Sequence, residues 1–378
     1  MVSIAREMLK KEWKKYLPAM LAVAFSGLLM IVQIGLMLGM FSTVTMIVDN
    51  SSADLFVTHP QTESPDMARE MPSRIEWVLM SHPAVLDVQT VTMSYGDWRK
   101  PDGGKTTAYI IGFDTTPDSL GIPAPFSEEL RRALLEPGAV VVDEADLSKL
   151  EVRLGQTAEL NNKQVKLVGT VNGFRNLMGS NVFMSSQTAR HIDLFSLYSG
   201  DQYAQFFLVK TDDRWPVSVV AEELQAMSGS KEFKVWRPEE FSNHSHWFWL
   251  MESGSGVSIG FSALLAVIVG VTITSQTLRG AVLASLREFA MLRAMGTPVK
   301  ALQAIVMEQS LWLGVAGFYI TVVLTLLCAW LAQLAHIAAS FPTWTWVATG
   351  VFTLVVAVVS GLVSLRSLYR TQPEELLK

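Results

Sequence analysis

The chain has 378 residues, of which 50% are hydrophobic and only 17% charged, with 30 Lys plus Arg against 35 Asp plus Glu and a mean hydropathy of +0.30. Soluble domains carry nearer a quarter charged residues, so an ordinary soluble enzyme is excluded, and the mildly acidic balance gives no reason to propose nucleic-acid binding. The apolar surplus lies in four stretches nearly free of charge, each longer than the roughly 20 residues that cross a bilayer.

In chain order, the segment 1–16 is basic, with Arg6, Lys10, Lys11, Lys14 and Lys15. The first span and its stalk cover 17–48. As one helix this run reaches about 48 Å at 1.5 Å per residue, so its last turns extend beyond the bilayer. It is longer than the apolar core of a secretory signal and ends in no small-x-small site, which reads as an uncleaved anchor.

A polar insert follows, with the outer domain at 49–240. It reads as mixed α and β: a helix near 74–80, a strand at 85–91, a hairpin turn at Pro101-Asp102-Gly103-Gly104 and a strand at 106–113. Short strands at 140–142, 157–160, 164–171 and 182–184 form a compact β-rich middle. A strand at 206–210, a helix at 216–227 and a strand at 233–236 close it, and the two end pieces are expected to pack as one small split α/β subdomain. The single cysteine, Cys328, lies in the third span, so disulfides cannot hold the outer domain.

Stalk and second span occupy 241–278, the connecting loop 279–303, the third span 304–339, a short outer loop 340–343, the fourth span 344–365 and a tail 366–378. Trp247-Phe248-Trp249, with Trp13, Tyr16, Trp344 and Trp346, sit at span ends, where amphipathic rings favour the headgroup level. Arg279, Arg287, Arg293, Lys300, Arg366, Arg370 and Lys378 join the N-terminal lysines on one side of the membrane. By the positive-inside rule that side, with both termini, is cytoplasmic. The whole insert, about 49–252, carries 18 basic residues against 29 acidic ones, the rest of the chain 12 against 6.

Three patterns imitate catalytic motifs. Gly104-Lys105-Thr106 lacks the glycine five residues earlier, where Arg99 stands, and no helix is expected after it, so a hairpin turn is the better reading and the chain has no ATPase motif of its own. Gly256-Val257-Ser258-Ile259-Gly260 has the nucleophile-elbow spacing but opens an apolar span rather than ending a strand. There, small residues four apart bring membrane helices together, and Gly35 with Gly39 repeats the spacing in the first span. His244-Ser245-His246 cannot turn both rings to one ligand from a single helix, and no carboxylate or cysteine cluster accompanies it, so it is read as part of the stalk rather than a metal site.

The loop after the second span carries a strong helix signal, stopped by Gly296 with Pro298 two residues on. Leu286 and Ala290 share one face; Phe289, Leu292 and Arg293 offer another. A short helix exposing both apolar and charged side chains needs a partner surface. Glu308, flanked by Gln309 and Ser310 near the start of the third span, is an ionisable group that must pair or reach water.

These residues carry a resemblance. Arg287-Glu288-x-Ala290-x-Leu292-Arg293-Ala294-x-Gly296, followed by Glu308, resembles the coupling-helix region of FtsX-domain permeases, the MacB-type or mechanotransmission (type VII) class of ABC transporters. The order of one span, a large outer domain and three spans is similar, as are the ending Arg370-Thr371-Gln372-Pro373-Glu374-Glu375-Leu376-Leu377 and the run from Val140-Val141-Val142-Asp143-Glu144 to Val168-Gly169-Thr170-Val171. The MacB-type exporter itself carries a fused ATPase that is absent here, and the chain most resembles stand-alone DevC-like permeases. The fold the resemblance implies is a helical membrane protein of four spans with a MacB-like α+β periplasmic core domain between the first and second.

The function it implies is that of a permease subunit, not itself an enzyme, in a bacterial inner membrane. It would couple a separate ABC ATPase to movement of the outer domain, driving export or extraction of a lipid-like or hydrophobic substrate. The alternative is an FtsX-like signal transducer that activates a periplasmic partner such as a cell-wall hydrolase. ATP and Mg would bind to the ATPase, present as two copies, beside a second permease copy and a membrane-fusion adaptor. Leu286, Arg287, Glu288, Phe289, Leu292, Arg293 and Gly296 would contact the ATPase, Glu308 would support them, and Gly35, Gly39, Gly256 and Gly260 would pack helices or the dimer.

Overall fold

A computed structural model describes residues 13–116, 118–174, 179–192, 203–229, 232–284, 298–334 and 339–370. The loop helix, with Leu286, Arg287, Glu288, Phe289, Leu292, Arg293 and Gly296, the basic residues Arg6, Lys10 and Lys11, and the tail from Thr371 on lie outside the described residues.

Helix α1 covers Trp13–Val44 and α2 Met46–Asn50; β1 is Leu55–Thr58 and β2 Met71–Pro72. Helix α3, Ile75–Met80, precedes β3, Val85–Arg99, and β4, Lys105–Phe113. Next come α4 (Glu128–Ala133), β5 (Ala139–Asp143), α5 (Leu147–Leu150), β6 (Thr157–Leu160), β7 (Lys163–Val171), β8 (Ser180–Ser185) and α6 (Ser186–His191). Strands β9 (Tyr203–Ala204) and β10 (Phe206–Thr211), α7 (Val217–Met227), β11 (Lys234–Trp236) and α8 (Pro238–Trp247) complete the insert. Helices α9 (Ser255–Ala284), α10 (Val299–Leu334) and α11 (Thr343–Arg370) follow.

The chain divides into two compact units, one holding 1–38, 256–335 and 339–378, the other 39–255 with 336–338. The second is built on a nine-stranded sheet in the order β11-β1-β10-β3-β4-β8-β5-β7-β6, with β6 also pairing to β3 through Trp98–Leu160 and Arg99–Glu159. That extra pairing closes β3-β4-β8-β5-β7-β6 into a six-stranded barrel, while β11-β1-β10 and the first half of β3 remain an open sheet. The four strands of the β-rich middle expected from sequence are β5 to β8 of this barrel, but the barrel also takes β4 and the second half of β3, and β4 had been expected in the split α/β subdomain.

Strand β3 does not stop at Val91 but runs on to Arg99. Its residues 85–91 pair with β10 and 92–99 with β4, so one strand belongs to both parts. Two halves with different neighbours read locally as a strand and a loop.

Period-two alternation assigns the faces of the open sheet. Leu55, Val57, Phe207 and Val209 join Ile75 and Leu79 of α3 and Val220 and Leu224 of α7. Phe56, Phe206 and Leu208 point the other way, into a core with Met46, Ile47 and Val48 of α2 and Phe241 of α8. The barrel encloses its own core around Trp98, whose indole Nε1 donates to Leu150 O at 3.1 Å. The turn at 100–104 is a hairpin: Lys100 N donates to Gly104 O at 2.8 Å and Gly103 takes a left-handed φ of +87°.

In the first unit, α1, α9, α10 and α11 all meet the length and hydropathy of membrane spans. Their contacts use small residues. A Cβ built on Gly270 of α9 would lie 2.0 Å from Ser26 Oγ of α1, and one on Gly317 of α10 would lie 2.6 Å from Val23. Gly27 of α1 faces Thr321 and Thr353 in the same way, and Thr321 Oγ1 donates to Ala24 O at 3.1 Å. Along α11, Thr345, Thr349, Thr353, Ser360 and Ser364 are buried, and Ser364 Oγ donates to Ser275 O of α9 at 3.0 Å. Where apolar lipid removes the hydrophobic drive, close backbone approach and hydroxyl bonds take its place.

Candidate functional site

The stalk forms where α1 ends. Ser42 and Thr43 hydroxyls both donate to Gly39 O at 2.9 Å, and Thr45 Oγ1 donates to Phe41 O at 3.1 Å. Side-chain donors that bond back to the preceding turn bend a helix, and α1 accordingly ends at Val44, resuming as α2 after Thr45. The continuous helix expected over 17–48 is thus interrupted near its end.

Helix α8 packs on this bend. The Phe41 and His246 rings stack at 4.7 Å, and His246 Nε2 lies 3.3 Å from Thr45 Oγ1, which donates to Asp49 Oδ2 at 2.6 Å. Burial pushes the His246 pKa down, partly opposed by the Asp49 carboxylate. His244 turns elsewhere: its Nε2 is 2.7 Å from Glu63 Oε2 and its ring 4.8 Å from Trp236. The two histidines therefore serve different partners, and among the described residues no group of three or more His, Cys, Asp or Glu could hold a metal ion.

Beyond Trp247, α8 continues as a five-residue π-helical turn, Phe248–Glu252, closed by Ser253 N donating to Phe248 O at 2.9 Å and by Gly254 at φ +79°. Here the aromatic reading needs correction. Trp247 is 55% exposed, as an interfacial ring should be, but Trp249 is only 7% exposed. Its indole Nε1 donates to Ser64 Oγ at 3.2 Å and Asp66 Oδ1 at 3.3 Å. Tyr16, also read as an anchor, is buried rather than exposed, while Trp13 and Trp344 are open. Sequence reasoning missed the Ser64–Asp66–Trp249 group, because a Ser-Pro-Asp turn carries no sign of a partner 183 residues away.

The remaining candidates are dispersed. Gly35 packs within the chain: an added Cβ would sit 2.3 Å from the Phe341 ring, and Ser340 N donates to its carbonyl at 3.0 Å. Gly39 is buried at the bend, Gly256 is half-buried, and Gly260 faces open space. Ser258 lies inside α9, where the Ser262 hydroxyl donates to its carbonyl, so the elbow pattern has no strained turn to act from. Glu308 is half-buried beside the buried Gln309 and Ser310, and a Cβ on Gly361 of α11 would lie 2.3 Å from Ser310 Oγ. That close approach seats the turn holding Glu308 against α11.

Four candidate spans with an α+β domain inserted after the first define the architecture of a membrane protein with one large domain outside the apolar helices. Residues 17–227 match the MacB-like periplasmic core domain and residues 260–373 the FtsX-like permease C-terminal domain. The chain belongs to this family of FtsX-domain, MacB-type ABC transporter permeases, whose members work with an ABC ATPase. No curated protein matches the sequence. Among solved structures it is similar to the periplasmic region of MacB from Actinobacillus actinomycetemcomitans, at 16% identity over 52% of this chain and 94% of that one, TM-score 0.37. It is also similar to the extracellular domain of the ABC-type transporter YknZ from Gram-positive bacteria, at 13% identity over 49% of this chain and 99% of that one, TM-score 0.32.

Proposed function

We propose that the chain transmits the closing of a partner ATPase dimer to its outer domain, and so expels a lipid-like or hydrophobic substrate from outside the bilayer or its outer leaflet. The observation that carries this reading is α1, a helix of 32 residues whose last turn stacks Phe41 on His246 of α8, with Thr45 of the bend that follows it beside the same ring. A helix of that length, about 48 Å, is a stiff rod. Two permease copies pair in a bacterial inner membrane with both termini cytoplasmic, the orientation favoured by the basic flanks. Two ATPase copies bind ATP and Mg, and a membrane-fusion adaptor extends the assembly outward.

In this reading Arg287, Glu288 and Arg293 make polar contacts to the ATPase, and Leu286, Phe289 and Leu292 fill its groove. Gly296 ends that helix, and Glu308, seated by the Ser310–Gly361 contact, braces its return. Replacing Phe289 and Leu292 together by Asp places two charges in an apolar contact, which costs several kcal/mol. Co-purification of the ATPase is expected to disappear while the permease still inserts in the membrane. Undiminished co-purification would refute the assignment.

A further inference from the structure

Where β3 passes from the open sheet to the barrel it changes neighbours, and one of its edges is left bare. Residues 85–91 pair with β10 on one side and 92–99 with β4 on the other. In an antiparallel pair only alternate residues turn their N–H and C=O toward the neighbour. Val209 O accepts from Asp54 N and Thr211 N donates to Asp54 Oδ2, so these two residues of β10 face β1, and Leu208 and Lys210 face Gln89 and Asp87 of β3. Val88 and Thr90 therefore turn their backbone groups away from β10, on the side where pairing with β4 has not yet begun. Among the described residues, the Val88 carbonyl and both backbone groups of Thr90 meet no backbone partner. The Val88 N–H is covered by the neighbouring Asp87 carboxylate, at 2.9 Å from Oδ1.

The chain after β4 does not close this edge. Gln89, only 9% exposed, bridges the gap with its side chain: Nε2 donates to Asp118 O at 3.2 Å and to Asp87 Oδ2 at 2.6 Å, and Oε1 accepts from Leu120 N at 2.8 Å. Between β3, this loop and α6 lies a cleft of about 700 Å³, within the range of ligand sites. Glu76, Asp87, Asp114 and Asp118 bring four carboxylates to it, and Arg190 is the one basic residue among the described residues that line it.

We propose that this cleft docks an extended, basic segment of a partner protein, which adds as a strand to the bare edge of β3. Main-chain bonds to Val88 and Thr90 hold the segment, as in strand addition to other exposed sheet edges. Its lysine or arginine side chains, recurring at every second position along one face, meet the carboxylates. A bare edge pairs with almost any chain unless charge guards it. Here the guard is Asp87, which caps the Val88 N–H; a basic side chain draws that carboxylate off and frees the donor. Acidic segments are repelled by the same four carboxylates, and a small cation gains the charge without the main-chain bonds. Docking of this kind requires neither ATPase nor transport, so it stands or falls separately from the proposed function.

Fluorescence anisotropy on the full chain in nanodiscs tests the site, with a labelled heptapeptide of alternating lysine and valine as the probe. Binding to the wild type should saturate, and should weaken about tenfold between about 50 and about 500 mM salt. A peptide with glutamate in place of lysine should bind at least about tenfold more weakly. So should the lysine peptide N-methylated along its backbone, which keeps the charges and loses the main-chain donors. On the protein side, Asp114→Asn with Asp118→Asn should weaken binding about tenfold and flatten the salt dependence. Thr90→Pro removes an edge N–H that β10 does not use, a place where a strand tolerates proline, and should cost about tenfold, whereas Thr90→Val should bind as the wild type does. Where Thr90→Pro melts below the wild type, the N-methylated peptide on wild-type protein decides. Equal binding of the N-methylated and parent peptides, or undiminished binding to the double Asn variant, would overturn the docking site. So would the absence of binding to the wild type at about 1 mM peptide. Displacement of the peptide by spermidine or calcium at constant ionic strength would mark a pocket for small cations and overturn it as well.

Discussion

Asp146 is a carboxyl held where a charge is poorly accommodated. It is 4% exposed and buried beside Ser180 and Asn181, whose hydrogen-bonding groups only partly offset the lost hydration. Burial is the main cause that pushes its pKa to about 6; Lys149 opposes the shift and Asp143 adds to it. The folded state thus binds the proton more tightly than the unfolded chain. Stability falls as pH rises from about 4 to about 6 and stays reduced above that. Asp146→Asn is expected to remove this slope and to raise stability near pH 7.5 by about 1–3 kcal/mol, read as detergent melting temperatures across pH. A melting profile parallel to that of the wild type would contradict the assignment. Nothing in the sequence marks this aspartate out from the 34 other acidic residues, because its burial comes from the turn after β5 meeting the start of β8. The same limit misplaced Trp249 and Tyr16: an aromatic ring at a span end looks alike whether lipid or protein covers it.

Among elements, the spans were readable as apolar runs, but their contacts were not. The four-apart glycines of α1 and α9 suggested where helices meet; of these Gly35 packs closely on Phe341, just ahead of α11, while the close helix-to-helix approaches are Gly270 on Ser26, Gly361 on Ser310 and Gly317 on Val23. Close packing depends on which faces meet, and spacing along one helix does not say what stands opposite. Gly270→Val would force a branched side chain into Ser26 and is expected to cost about 1–3 kcal/mol. Faster proteolysis of the detergent-solubilised chain would report it, with Gly260→Val, at an open position, as the unaffected control. In the insert, α3, α7 and the later strands followed from local patterns, whereas β3 did not: its continuation beyond Val91 is set by β4 and β6, on which it closes the barrel.

For the whole molecule, the proposed pairing of two copies makes a definite demand on α9. Gly260 is open within one chain, with Val257, Phe261 and Leu264 exposed around it. A Gly260→Cys, Cys328→Ser protein in membranes is expected to form a disulfide-linked species of about twice the 41.7 kDa chain mass on mild oxidation. Val347→Cys in the same background, on an exposed part of α11, should stay monomeric. Equal cross-linking at both sites would indicate random collision and remove Gly260 from the interface.

Composition and charge order alone determined four spans, a cysteine-free domain inserted after the first and a basic side opposite an acidic one, because hydrophobicity and charge are sums over neighbouring residues. Only the tertiary structure decided that β3 serves both an open sheet and a barrel, that His244 and His246 part to different partners, and that Trp249 answers to Asp66 rather than to lipid. Each of these is a pairing between segments far apart in the chain, and its energy exists only after packing has excluded water from both sides.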